Sequence, residues 1–187
     1  RDGRGLGFAE VVFALALVGG ILEVVKGVAA FFMGIVTVDV DVLAAIEKAG
    51  GAYELHRDSG ELRLLDPSFG ERVVTALPHF LTGLTVVAVA LLLLKVAMTS
   101  RDGSPFTEEN ARRLSVAGWV AGVGGMAAVV AAAWSQAVIS AGAPDELNVS
   151  FSVLVSFTPL MVAGILIAIS EVFRRGVAMR AELDEVI

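Results

Sequence analysis

Glu23 and Lys26 are the only charged residues in the apolar stretch from residue 11 to residue 38. Three apart on a helix, they share a face and can pair. Ionisable side chains inside a membrane commonly mark proton or ion paths, so one chemistry open to this pair is a relay. The other reading is structural. Counted from Glu10, Glu23 sits about 20 Å and Lys26 about 24 Å along a helix axis. That is past the midplane of a ~30 Å hydrocarbon core, where Lys26 can snorkel outward with Glu23 beside its stem. No other apolar stretch offers an acid at a similar depth, which weakens the relay. His56 and His79 show no ligand spacing, zinc takes three or four ligands, and there is no cysteine. No metal and no cofactor is expected, and His79 reads as a helix-end or interfacial residue. Neither Gly-x-Ser-x-Gly nor His-Glu-x-x-His occurs. Ser135, Ser152, Ser156 and Thr158 are of the type that joins membrane helices, so no enzymatic activity is expected.

Two polar segments are denser in information. In the first, Asp102-Gly103 turns the chain and Thr107 can cap a helix whose first turn carries Glu108 and Glu109. Phe106 is the apolar residue of that loop and is expected to wedge under the helices. In the second, Glu171 and Arg175 stand at i,i+4, as do Arg180 and Asp184. A docking face for a cytosolic partner would draw on Phe106, Glu108, Asn110, Arg112 and Arg113 from one segment and Glu171, Arg174 and Arg175 from the other. The alternative is attraction of Arg112 and Arg113 to anionic headgroups, at about 1 kcal/mol per residue.

The elements that position these residues follow from composition. The 187 residues are 56% hydrophobic and only 18% charged, more apolar than a soluble domain of this size can bury. Uncharged runs cover 73–94, 114–144 and 147–170, and about 20 residues suffice to cross a bilayer as helix. Residues 1–36 are expected to hold a first transmembrane helix over roughly 9–36, in preference to a cleaved signal peptide. The second is expected over 73–98, from Pro78 to Met98. The third is expected over 114–140, stopped by Gly142 and Pro144. The fourth is expected within 151–187, with a polar extension after Ser170.

Between the first two helices, 37–72 alternates with period two and carries a hairpin signal at Asp58-Ser-Gly60. A small extracytoplasmic insert of three short strands with a helical turn at 42–48 is expected. Gly118, Gly122 and Gly125 make one face of the third helix smooth, for packing within the bundle or between copies. Trp119 and Trp134, about 22 Å apart, read as interfacial anchors. Arg101, Arg112, Arg113, Arg174, Arg175 and Arg180 put the 99–113 loop and both termini in the cytoplasm, while the 141–150 loop has no Lys or Arg. Asn148-Val-Ser150 fits the glycosylation pattern by chance frequency alone. The chain starts at Arg1 and not Met, so residues are expected to precede it. Eleven Arg against three Lys, with Ala, Val and Gly abundant, suggest a GC-rich bacterial genome, so the expected class is an all-α integral membrane protein of the bacterial inner membrane: a four-transmembrane-helix bundle with a small extracytoplasmic β-rich insert.

Taken together, Gly103-Ser-Pro-Phe-Thr-Glu-Glu-Asn-Ala-Arg-Arg-Leu114 and Ile169-Ser-Glu-Val-Phe-Arg-Arg-Gly176 resemble the two hallmarks of a bacterial four-helix membrane family. That family is known only as a domain of unknown function. Ser170 stands where the family pattern has Ala, and the resemblance does not extend to the outer insert. The resemblance implies no activity. It does imply a neighbour, because such members are often encoded beside a small Cro-like helix-turn-helix regulator. The expected role is a sensor or regulator that docks such a cytosolic protein. Direct nucleic-acid binding is not expected at a net charge of −6. The rival role is a small-solute or proton transporter or channel subunit using Glu23 and Lys26, in a homo-oligomer built on the third-helix glycines.

Overall fold

A computed structural model describes residues 7–33, 36–39, 53–56, 61–64, 67–101, 105–142 and 156–184, the strands through their backbone. Four helices dominate them: α1 (Phe8–Met33), α2 (Phe69–Arg101), α3 (Glu108–Gly142) and α4 (Thr158–Asp184). Three strands of four residues each, β1 (Val36–Asp39), β2 (Tyr53–His56) and β3 (Glu61–Leu64), form an antiparallel sheet in the order β1-β3-β2. Val36 and Tyr53 both stand opposite Leu64 across the central strand.

The expected fold class needs correction on two counts. Three helices, not four, are long and apolar enough to cross a membrane among the described residues: α1, α2 and α3. The described α4 starts at Thr158, so its uncharged stretch before Glu171 is thirteen residues, about 20 Å against a core of ~30 Å. Nor does the strand segment fill the expected 37–72 range: its three strands are four residues each and end at Leu64, and α2 already begins at Phe69, so the fold is dominated by helices. Three apolar helices of this length make the chain a membrane protein by the hydropathy criterion. The expected turns at 42–48, 58–60 and Asp102-Gly103, and residues 143–150 with Pro144 and Asn148, lie outside the described residues, while 141 and 142 still belong to α3.

Local chemistry explains where the helices begin. Ser68 and Glu71 form a capping box: the Ser68 N–H donates to Glu71 Oε2 at 2.7 Å and the Glu71 N–H to Ser68 Oγ at 3.4 Å. That start carries α2 past Pro78, which lies inside the helix instead of opening it. α1 uses a related device, with the Gly7 N–H donating to Glu10 Oε2 at 2.9 Å. α4 starts on Phe157, whose carbonyl accepts from the N–H groups of Leu160 and Met161, with Pro159 in the first turn.

The chain divides into two compact units. In the unit made of Arg1–Leu22, Thr82–Met126 and Phe157–Ile187, parts of all four helices pack together. Val96, Leu114, Ala117, Ala121 and Leu166 form its core, with Val89, Leu92, Leu93 and Phe173 packed against it. Small residues set the helix spacing there. A Cβ on Gly118 would lie 2.7 Å from Ile167 Cγ1, one on Gly122 3.1 Å from Ala163 Cβ, and one on Gly125 2.5 Å from Pro159 Cβ. The glycine face of α3 is thus filled by α4, which takes it from any second copy. In the unit made of Glu23–Leu81 and Ala127–Ser156, α1 and α2 approach at Gly27, where a Cβ would come within 3.3 Å of the Ala76 carbonyl oxygen and of His79 Cβ. Phe31 and Phe69 add an edge-to-face ring contact at 5.7 Å.

Candidate functional site

In the first unit, the residues just before α3 are held from several sides. Thr107 Oγ1 accepts the Asn110 N–H at 3.1 Å, the expected cap, and Glu108 and Glu109 occupy the first turn. Asn110 is wholly buried at 0% exposure. Its Nδ2 donates to the Pro105 carbonyl at 3.1 Å and its Oδ1 accepts from Arg113 Nη1 at 3.3 Å. Arg113 also donates to Thr99 Oγ1 of α2 at 3.1 Å and pairs with Glu109 one turn back. Asn110 and Arg113 therefore brace this segment; the Asn110 side chain is buried, while Arg113 stays partly exposed beside Glu109. That takes Asn110 off the accessible surface, for a plain reason: a buried amide is committed to its own partners.

Phe106 rests on α4. Its ring centroid is 5.3 Å from that of Phe173, and a Cβ on Gly176 would come within 2.6 Å of its Cδ1. Only glycine at 176 lets the ring lie so close, yet Phe106 stays 43% exposed. Glu108, Arg112, Arg174 and Arg175 are exposed too. Glu171 accepts from Arg174 Nη1 at 3.2 Å and Arg175 Nε at 3.4 Å, surface pairs worth about 0–1 kcal/mol each. The arrangement is a half-exposed aromatic ring on a rigid seat, with charges of both signs nearby. Binding is what such a surface can do.

One further tie in this unit was not legible beforehand. Arg101, at the last turn of α2, donates through Nη1 to both carboxylate oxygens of Glu10 at 3.2 and 3.0 Å. Nothing in the local sequence of either residue announces a partner 91 positions away.

The second unit holds Glu23 and Lys26. Lys26 Nζ donates to Glu23 Oε1 at 2.7 Å, as their spacing predicts. The other carboxylate oxygen, Oε2, lies 3.0 Å from Nδ1 of His79 on α2. The acid absent from every other apolar stretch is answered by a histidine, so the pair is a three-residue network. Among the described residues no three His, Cys, Asp or Glu side chains gather as a metal site.

Residues 62–187 match the family model described as "Protein of unknown function (DUF2975)". The chain belongs to that family. The match takes in most of β3 and all of α2, α3 and α4, and with them the Phe106 seat and the Glu171 pairs. In this DUF2975 chain, α1 with Glu10 and Glu23 precedes the matched range. No curated protein and no solved structure matches the chain.

Proposed function

We propose that this DUF2975 protein is a non-enzymatic sensor or regulator in the bacterial plasma membrane that docks a cytosolic partner. Both termini and the 99–113 loop would face the cytoplasm, following the arginine bias of those segments. The observation that carries the reading is the seat of Phe106. A ring fixed against Phe173 and Gly176 but 43% exposed is a ready anchor for a partner's apolar pocket. Glu108, Glu171, Arg174 and Arg175 would surround it as a charged rim. The partner class that the family resemblance suggests is a small helix-turn-helix regulator.

A crosslinked pull-down from native membranes tests this, comparing the parent chain with an Arg174→Glu, Arg175→Glu variant. Arg113 is left alone because its loss would disturb the segment's own bracing. Recovery of a small DNA-binding protein with the parent and not with the variant supports docking. Equal recovery from both, or recovery of nothing but the chain itself, removes it.

A second reading is transport of protons or a small solute. It is favoured by the contact of His79 with Glu23, which links an acid on α1 to a titratable group on α2. Glu23→Gln should then alter flux in proteoliposomes, and unchanged flux for every gradient tried would dispose of it.

A further inference from the structure

Arg112 and Arg113 are neighbours in sequence but have opposite fates. Arg113 is tied by hydrogen bonds to Thr99 and Asn110 and, at the surface, pairs with Glu109. Arg112 is exposed, and it stands four residues before Val116 and seven before Trp119 on the same helix. Arg112, Val116, Trp119 and Val123 follow one another at spacings of four, three and four, so they form a single line along α3. Val116, Trp119 and Val123 on that line are all exposed, Trp119 at 64%. The opposite side of α3 is buried through Ala117 and Ala121 and filled by α4 at Gly118 and Gly122.

In a helix apolar enough to cross a membrane, an exposed line of Val and Trp faces acyl chains. Tryptophan on such a line favours the headgroup level. Arg112 continues the line about 10 Å beyond Trp119, two turns toward the helix start, on a stem flexible enough to fold back to the phosphates. We propose that Arg112 and Trp119 form a binding rim for the phosphate of anionic phospholipids of the phosphatidylglycerol class. Charge complementarity carries the choice of occupant. Arg101 and Arg113 are paired with Glu10 and Glu109, whereas Arg112 projects from the lipid-facing line itself. This assignment leaves Phe106 and α4 to the docking reading and does not depend on it.

Trp119 is also the reporter. The chain has two tryptophans, so Trp134→Phe leaves Trp119 as the only one. The purified full chain carrying that change is reconstituted in phosphatidylcholine vesicles with a minor fraction of acyl-brominated lipid, either phosphatidylglycerol or phosphatidylcholine. Brominated phosphatidylglycerol should quench Trp119 more strongly, corresponding to about fivefold enrichment beside it. Arg112→Gln should bring the two lipids to equality, Arg112→Lys should keep most of the preference, and Arg180→Gln, on α4 and off this line, should leave it intact. Equal quenching in the starting protein overturns the proposal, and so does a preference that survives Arg112→Gln. No partner protein is present, so failure of docking cannot produce either result.

Discussion

Glu10 on α1 and Arg101 on α2 form an ion pair in which one guanidinium nitrogen lies 3.0 Å from one carboxylate oxygen and 3.2 Å from the other. The Glu10 side chain is 8% exposed and that of Arg101 37%. Glu10 Oε2 also receives the Gly7 N–H, so a single carboxylate caps the start of α1 and ties it to the end of α2. Exposed pairs contribute about 0–1 kcal/mol, and breaking fully buried ones costs about 3–5 kcal/mol. This half-buried pair falls between those limits. Glu10→Ala is expected to lower the Tm in detergent, because it removes both the ion pair and the α1 cap. A Tm matching the parent would mean that solvent replaces the carboxylate without loss.

The glycines divide into two groups with opposite expected signs. Gly118 is closed off by Ile167 and the Ala163 carbonyl, so Gly118→Val must push α3 from α4 and should destabilise by about 1–3 kcal/mol. Gly164, on α4, has nothing within 4 Å of an added Cβ, and Gly164→Ala should stabilise by about 0.5–1 kcal/mol. Thermal unfolding of the two variants side by side decides the matter. A shift of the same sign in both would contradict the α3–α4 packing.

Asn110 gives a prediction local to the proposed docking segment. Asn110→Ala leaves the Pro105 carbonyl and Arg113 each short of a partner, at a cost of about 1–3 kcal/mol. Limited proteolysis should then cut between residues 105 and 110 faster than in the parent. An unaltered cleavage rate there would show that the bracing comes from elsewhere.

The capping box of α2 is testable in the same manner. Ser68→Ala removes the acceptor for the Glu71 N–H and should cost about 1 kcal/mol, with the loss confined to the first turn. Amide exchange should speed up near residues 69–72 and stay constant near Lys95. Uniform acceleration along α2 would mean that the cap supports the whole helix.

Some features were readable before any coordinates. The apolar helices, the Glu23–Lys26 pair and the Thr107 cap rest on hydropathy or on spacings of three and four, and these are properties of one short stretch of chain. The Ser68–Glu71 capping box was equally local, a Ser-x-x-Glu spacing, but the expected insert over 37–72 hid it. Pro78 was therefore read as the start of a helix that in fact begins at Phe69.

Other features were decided only by tertiary structure. His79 reaches Glu23 and Arg101 reaches Glu10 across sequence separations of 56 and 91, which no local pattern encodes. The fates of Arg112 and Arg113 likewise depend on which side of α3 the other helices cover. Composition determined that this chain presents long apolar helices, because the cost of exposing apolar surface to water adds residue by residue. Packing determined which polar groups those helices bring together and which they leave facing outward, because a buried polar atom must find its partner wherever the fold supplies one.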